Sequence, residues 1–231
     1  MQHNTIRNII TTSLQYGRFH WQRLLYFNAR YSGSFIKRLF DIVVSAIFLI
    51  LFALFILIIA LLIIIDSPGP IFFCQTRVGK RGQLFKMWKF RSMSIDAEQH
   101  KAVLMKNNEM SGGVLFKMKN DPRMTHMGIF IRKFSIDELP QFWNVLWGDM
   151  SLVGPRPPLP SEVAKYDAYQ RQRLEVKPGI TCIWQVSGRS EIPFQQQVEM
   201  DLQYINTQSF FGDIKLLLKT VPAVLKCRGA F

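Results

Sequence analysis

An uncharged apolar run of 24 residues, from Ile42 to Ile65, constrains this chain more than any other feature of its sequence. A helix over this run would be roughly 36 Å long, against a hydrocarbon core of about 30 Å in a bilayer. The run is apolar on every face, which disfavours a helix in a soluble core. It also begins too late, and is too long, for a cleaved signal peptide. The sequence therefore predicts that the protein is attached to a membrane.

Lys and Arg are frequent on both sides of this run, so both flanks are predicted to lie on the cytoplasmic side. A re-entrant helix, which enters and leaves on the same face, satisfies both flanks, whereas a spanning helix satisfies only one. Yet the run contains neither proline nor glycine at which a helix would turn, so the spanning form also stays open. The flanking cations are Arg7, Arg18, Arg23, Arg30, Lys37 and Arg38 before the run, and Arg77, Lys80, Arg81, Lys86, Lys89 and Arg91 after it.

The net charge of +13 indicates an anionic partner or surface. Beside a membrane segment, anionic lipids and phosphorylated substrates are favoured over nucleic acid, because no nucleic-acid-binding motif is present. Cys74, Cys182 and Cys227 are widely separated and odd in number, which is typical of a domain that faces a reducing cytoplasm.

Composition divides the chain into a basic, aromatic arm (1–34), a membrane helix (35–66) and a cytoplasmic domain (67–231). The arm is interpreted as an interfacial helix or a loosely ordered segment. In the third part, two extended runs around the Gly79–Gly82 turn predict a hairpin, and Gly154–Pro160 predicts a rigid loop. Helices are predicted at 94–109, 137–147, 161–175, 194–209 and 213–226, which makes the fold class helix-rich α+β.

Asp137 and Glu138 are adjacent carboxylates in a strongly basic chain. Two such groups are able to hold Mg²⁺ together with substrate phosphates, and an ionised Asp is able to attack phosphorus. Arg91, Arg156 and Arg189 are the candidate phosphate contacts. The alternative is structural: Ser135 and Glu138 form a capping box, and Asp137 complements a helix dipole. Spacing alone leaves both interpretations open.

Several long motifs, in order, resemble the bacterial sugar transferase family, the small monotopic phosphoglycosyl transferases. They are "KRLFD" (37–41), "TRVGKRGQLFKMWKFRSM" (76–93), "NDPRMTHMGIFIRKFSIDELPQFWNVLWGDMSLVGPRP" (120–157), "RLEVKPGIT" (173–181) and "QVSGRSEIPFQQQVEMDLQYI" (185–205). The resemblance covers roughly residues 35–231.

This resemblance implies transfer of a sugar 1-phosphate from a UDP-sugar to undecaprenyl phosphate, with release of UMP, at the cytoplasmic face of the bacterial inner membrane. The product starts exopolysaccharide, capsule or O-antigen synthesis. The family mechanism implies Asp137 as a nucleophile that carries the phosphosugar, Glu138 as its partner, and Mg²⁺ held by both. It also implies Arg156, Arg189 and Asp201 as substrate contacts.

The implied fold is a helix-rich globule with a short hairpin, a re-entrant helix and amphipathic interfacial helices. Where many members of the family carry Ser-Pro in mid-helix, this chain has Ala53-Leu54. A catalytically silent membrane scaffold of a polysaccharide assembly complex is the alternative function, and a basic membrane-surface or nucleic-acid-binding protein is a third. The sugar and the oligomeric state, including a homodimer, stay open.

Overall fold

This computed structural model describes residues 35–97 and 121–225. The predicted arm (1–34) and most of the predicted helix 94–109 lie outside these residues. The chain divides into two compact units, Met1–Phe40 and Asp41–Phe231. The described helices and strands belong to the second unit, apart from one helix that crosses the boundary.

The described elements form a helix-rich α+β fold with two small sheets. Nine helices are described: α1 Phe35–Leu51, α2 Ala53–Asp66, α3 His126–Lys133, α4 Gln141–Trp147, α5 Pro160–Val163, α6 Ala168–Arg171, α7 Ile183–Ser187, α8 Phe194–Thr207 and α9 Phe210–Leu225. The strands are β1 Phe72–Val78, β2 Leu84–Phe90, β3 Ser151–Val153 and β4 Gly179–Thr181. Single 3₁₀ turns lie at Lys80–Gly82, Ile136–Glu138, Gln172–Glu175 and Arg189–Glu191.

The apolar run is bent, although it contains neither proline nor glycine. Helices α1 and α2 meet at Phe52 at an angle of 63°, and only as this bent pair do they have the length and apolar composition for a membrane span; no single described helix does. Backbone bonds from Phe52 N to Phe48 O (2.9 Å) and from Ile56 N to Phe52 O (2.8 Å) continue through the bend. The Phe48 ring stacks on Phe52 (4.4 Å between centroids) and on Phe142 of α4 (4.0 Å), which ties the bend to α4.

The core beside α2 uses only one stripe of that helix. Ile59, Ala60 and Ile63 are buried and pack with Phe90 of β2 and Ile131 of α3. The other faces of α2 remain exposed, and Leu54, Leu57 and Ile65 are 65–71% exposed. Because one stripe packs against protein while the rest stays apolar and open, this helix does not have the polar outer face of a soluble amphipathic helix.

The predicted hairpin is confirmed. β1 and β2 pair antiparallel, with Phe73 opposite Lys89 and Arg77 opposite Phe85, and the turn contains the left-handed Arg81 (φ 57°). Paired residues in such a ladder point to the same face, and the faces alternate along each strand. Gln75, Arg77 and Lys89 therefore share one face, and Phe72 and Trp88 share the other.

The second sheet positions the proline loop. β3 and β4 pair parallel, and a Cβ on Gly179 would lie 2.0 Å from Gly154 N, so the two backbones approach in a way that only glycine permits. Loop residues are held further by Val78 N, which donates to Pro158 O (2.9 Å). Asp41 of the "KRLFD" motif accepts from Leu152 N (3.1 Å), which anchors α1 to β3.

The predicted helix 161–175 is wrong as a single element, whereas those at 194–209 and 213–226 are confirmed as α8 and α9 with shifted ends. Asp167 starts a new turn because its Oδ1 accepts from Gln170 N (2.7 Å) while Gln170 Oε1 accepts from Asp167 N (3.2 Å). This reciprocal cap separates α5 from α6.

Asn144 joins α4 to the hairpin, and its loss is expected to destabilise the protein. Its fully buried amide accepts from Trp88 N (3.0 Å) and donates to Lys86 O (2.7 Å). Asn144→Ala leaves two strand groups without partners, so we expect a loss of about 2–4 kcal/mol in the free energy of unfolding. Denaturant titration measures it, with the exposed Gln203→Ala as control. An unfolding free energy equal to that of the control would contradict this role.

Candidate active site

Asp137 and Glu138 lie in the 3₁₀ turn Ile136–Glu138, one turn before α4, and not in the helix itself as predicted. Ser135 enters this turn in a left-handed conformation (φ 55°), and its side chain makes no cap hydrogen bond. The capping box considered from the sequence is therefore wrong. The Glu138 side chain turns instead towards cations on other elements, so the structural explanation for this acid fails.

Lys89 bridges the two carboxylates. Its Nζ lies 2.8 Å from Glu138 Oε1 and 3.5 Å from Asp137 Oδ2. Arg156, from the proline loop, places Nη1 3.4 Å from the same Glu138 oxygen. The hairpin, the 3₁₀ turn and the proline loop thus bring two acids and two cations into one cluster, which we call the dyad cluster: Lys89, Asp137, Glu138 and Arg156.

The two acids differ in their electrostatic environment. Burial alone would raise the pKa of Glu138, but the charges and hydrogen bonds of Lys89 and Arg156 outweigh it and lower that pKa to about 2. Burial raises the pKa of Asp137 above its ordinary value, and the charge of Glu138 adds to this effect against the opposing charge of Lys89. Glu138 is therefore the more acidic member of the pair, and Asp137 is the more basic one. Such a division of roles is common where paired carboxylates do chemistry.

The dyad cluster opens into a cavity of about 1000 Å³ that is lined by both aromatic and basic side chains. We call the aromatic set the apolar wall (Phe48, Phe52, Phe55, Phe72 and Phe142) and the cationic set the basic wall (Arg77, Lys89, Arg156, Arg173 and Arg189). An amphiphilic anion matches this lining, because its chain and its charged group each find a suitable surface.

The other residues predicted from the sequence occupy different environments. Arg91 lines the cavity but also donates to Pro68 O (3.0 Å) and Ser67 O at the end of α2. Arg189 (φ 52°) also lines the cavity. Asp201 is fully buried and pairs with Arg173, whose Nη2 is 2.6 Å from Oδ2. The structure therefore places Arg91, Arg156 and Arg189 in the lining of the cavity that contains the dyad. Asp201 instead pairs with Arg173, which is itself a lining residue. The contacts of all four residues with substrate stay predictions.

Lys89, Arg77 and Arg173 were not selected from the sequence. Lys89 and Arg77 have a detectable signal, because alternation in a hairpin places both on one face together with Gln75. Arg173 has none, since only the fold brings it against Asp201 and over the rings of Tyr166 (5.8 Å) and Phe194 (5.7 Å).

A divalent cation fits the dyad by its donor set. Within residues 35–97 and 121–225 no group of three His, Cys, Asp or Glu side chains is arranged to hold a metal. Mg²⁺, however, is commonly held by one or two carboxylates with water and substrate phosphates. Asp137 and Glu138 are adjacent carboxylates in one 3₁₀ turn and would supply such a pair of oxygen ligands.

Comparison with known proteins identifies relatives along nearly the whole chain. The family profile described as bacterial sugar transferase matches residues 32–227. The galactosyl transferase CpsE of Streptococcus agalactiae serotype III (strain NEM316) is 49% identical over 202 residues, which cover 87% of this chain and 44% of that protein. The undecaprenyl-phosphate galactose phosphotransferase of Salmonella typhimurium (strain LT2) is 41% identical over 206 residues, 88% of this chain and 43% of that protein.

A third relative, the UDP-glucose:undecaprenyl-phosphate glucose-1-phosphate transferase of Escherichia coli (strain K12), is 42% identical over 197 residues. These residues cover 80% of this chain and 39% of that protein, so the chain spans less than half the length of these three relatives. The matched region contains the dyad cluster, the proline loop and the cavity. On these matches, the chain belongs to the bacterial sugar transferase family.

Proposed function

We propose that this protein transfers a sugar 1-phosphate from a UDP-sugar to undecaprenyl phosphate and releases UMP. The observation that carries the proposal is the dyad cluster: a buried carboxyl of raised pKa, Asp137, beside the ionised Glu138 and two cations. A carboxylate made more basic by burial is a better nucleophile, and fixed cations nearby stabilise a phosphate that it attacks. The names of two relatives specify undecaprenyl phosphate, and one of them specifies UDP-glucose.

In the first step, an Asp137 carboxylate oxygen attacks the phosphorus that bears the sugar. A bond forms between this oxygen and phosphorus, the bond from phosphorus to the bridging oxygen breaks, and UMP leaves with the electron pair. The product is an acyl phosphate, an aspartyl phosphosugar. Lys89 and Arg156 are positioned to bind the phosphate oxygens as charge builds up on them.

In the second step, a phosphate oxygen of the lipid attacks the same phosphorus, the acyl phosphate bond breaks, and Asp137 is restored as a carboxylate. The apolar wall of the cavity, with Phe48 and Phe142 at the helix bend, is suited to the isoprenoid chain beside the phosphate. The two substrates thus use the same carboxylate in turn. A dyad open to both is required for such an exchange.

Mg²⁺ would be held by Asp137 and Glu138, and when bound it supplies positive charge that neutralises the diphosphate and polarises it towards attack. Glu138 is suited to this role because its pKa of about 2 keeps it ionised at any physiological pH. Its contact with Lys89 also orients the side chain within the cluster.

The protein is further proposed to sit on the cytoplasmic face of the bacterial inner membrane through residues 35–66, with 67–231 as the catalytic domain. The bent pair α1–α2 supports a re-entrant helix, because the bend at Phe52 supplies the change of direction that the sequence alone lacks. Apolar residues exposed on α4 and α9, such as Trp147 (64%) and Phe211 (81%), support interfacial helices in contact with anionic lipids.

Galactose 1-phosphate is the proposed cargo and glucose 1-phosphate the competitor, since the Streptococcus and Salmonella relatives are named for galactose and the Escherichia coli relative for glucose. The proposed product starts exopolysaccharide, capsule or O-antigen synthesis. The test supplies the protein in nanodiscs with undecaprenyl phosphate, Mg²⁺ and a panel of UDP-sugars, and measures UMP. Release with one sugar, abolished by EDTA, supports the proposal; no release with any UDP-sugar contradicts it.

Arg156→Lys is expected to reduce kcat/KM for the UDP-sugar by about tenfold or more, because a point charge does not replace a planar fork at a phosphate. The matched control is Arg171→Lys. Arg171 is exposed, lies outside the cavity and bonds only the carbonyls of Tyr166 and Val163. Equal kcat/KM values for the two variants would show that Arg156 does not bind phosphate.

A further inference from the structure

Arg77 is a buried cation of the same cavity that the dyad cluster does not use. It lies at the turn end of β1, and its residue is only 8% exposed. Its Nη1 donates to Pro157 O (2.9 Å), and its Nε and Nη2 donate to Gln75 Oε1 (3.1 and 2.7 Å). All of these partners are neutral groups.

The other buried arginines of the cavity wall have a source of negative charge. Arg123 pairs with Asp121 and Arg173 with Asp201, each with its closest contact at 2.6 Å. Arg91 bonds carbonyl oxygens at the C-terminus of α2, where the helix dipole is negative. Arg77, by contrast, forms no ion pair within the part of the chain that the structure describes.

The largest effect of a neighbouring charge on Arg77 comes from a second cation, Arg156. Burial, and then the charge of Arg156, lower the pKa of Arg77 to about 10, while Glu162 and Glu138 oppose this only in part. Among the described residues Arg77 is buried without an anionic partner, and a buried charge in that position is costly unless an anion lies beside it. The cavity that Arg77 and Arg156 both line provides the space for such an anion.

We propose that Arg77 and Arg156 together bind a phosphate of the nucleotide part of the donor, so that Arg77 is a binding residue for the nucleotide that leaves. This inference rests on the proposed function and specifies how its donor is held. It makes the Arg77–Arg156 pair an anion site adjoining the dyad cluster.

The hairpin register favours the nucleotide phosphate over the phosphate of the lipid. Lys89, which contacts both acids, lies opposite Phe73, and Arg77 is four residues further along β1 on the same face. Four residues of strand span roughly 13 Å. With the transferred phosphorus at Asp137, Arg77 is placed towards the nucleotide end of the donor. Of the apolar residues that line the cavity, Phe72 and Phe73 lie at the other end of β1 from Arg77, and Phe142 lies on α4.

The test measures the affinity of this protein for uridine, UMP and UDP by calorimetry. In Arg77→Gln we expect UMP and UDP to bind about tenfold or more weakly, with uridine changed by less than about twofold, because only the phosphates lose a charged partner. Arg77→Lys, which keeps the charge, is expected to lose less. Arg171→Gln serves as the matched control, since it also removes a guanidinium that bonds only carbonyls.

A kinetic arm separates the two sources of phosphate. In a reaction that proceeds through a covalent intermediate, kcat/KM for each substrate reports its own half-reaction. Arg77→Gln is expected to lower kcat/KM for the UDP-sugar and to leave that for undecaprenyl phosphate unchanged. A fall confined to the lipid would overturn the assignment to the nucleotide.

Two further results would also overturn the inference. One is a variant that binds UMP as wild type does but unfolds at a lower temperature, which would make Arg77 a clamp for the proline loop only. The other is an equal loss for uridine and UMP, which would indicate a distorted pocket. Failure of the proposed function has a different signature: the wild-type protein would release no UMP from any UDP-sugar.

Discussion

Asp137→Asn is expected to abolish UMP release, with turnover reduced on the order of 10³-fold or more, as is usual when an essential nucleophile is removed. The amide keeps the shape of the side chain in its buried turn but has no anionic oxygen to attack phosphorus. The assay uses UDP-galactose and undecaprenyl phosphate in nanodiscs. Turnover near that of wild type would eliminate Asp137 as the nucleophile.

The same substitution is expected to leave the protein at least as stable as wild type at neutral pH. The pKa of Asp137 is raised in the folded state above its ordinary value of 3.8, so the folded state holds this proton more tightly than the unfolded state does. Such a group adds stability at low pH and costs stability once pH has risen through its folded pKa. Asn removes that cost at neutral pH, and the difference from wild type disappears as pH falls below 3.8.

Stability and activity together therefore distinguish a nucleophile from a structural acid. Thermal unfolding of Asp137→Asn and wild type, measured across pH, provides the control for the activity assay. A lowered melting temperature at neutral pH, together with lost activity, would show that Asp137 supports the fold and would remove the main argument for its catalytic role.

Lys89→Gln is expected to lower turnover at neutral pH by about 10²-fold, comparable to the loss of one preorganised charge partner in an active site. The Lys89 ammonium lies 2.8 Å from Glu138 and 3.5 Å from Asp137, and its charge lowers the pKa of both acids. Without it, both pKa values rise and a smaller fraction of Asp137 is ionised. The acid limb of the pH–rate profile should therefore move to higher pH.

The pH–rate profile of Lys89→Gln distinguishes an electrostatic role of Lys89 from a structural one. If the role is electrostatic, activity should partly recover at alkaline pH as Asp137 ionises again. Lys89→Arg retains the charge and should keep the acid limb near its wild-type position. Lys86→Gln is the matched control, since Lys86 lies exposed on the opposite face of the same strand. A Lys89→Gln profile that is lower but unshifted would contradict the electrostatic role.

Elements with strong local signals were predictable from the sequence. Two extended runs around Gly79–Gly82 predict the hairpin, and the helices predicted at 194–209 and 213–226 correspond to α8 and α9 with shifted ends. The family resemblance, carried by long motifs, is confirmed by the match over residues 32–227. Such elements are predictable because the local periodicity and the motifs that define them involve residues close together in the chain.

Features that depend on tertiary contacts were not predictable. The bend at Phe52 occurs in a run without proline or glycine, so no residue type in the sequence predicts it. It lies where Phe48 stacks on Phe142, a residue 94 positions further along the chain. Glu138 follows Ser135 at the spacing of a capping box, but in the structure its side chain pairs with Lys89 and Arg156, which are distant in the chain. The parallel pair β3–β4 likewise joins segments too short to give a periodic signal.

A covalent phosphosugar on Asp137 should form when the protein receives its donor without its acceptor. With UDP-galactose and Mg²⁺ but no undecaprenyl phosphate, we expect a burst of one UMP per protein molecule. Intact-protein mass spectrometry should then show the mass of one phosphosugar, located on the peptide that contains Asp137 and absent from Asp137→Asn. UMP released only when both substrates are present, with no added mass on the protein, would contradict the covalent mechanism.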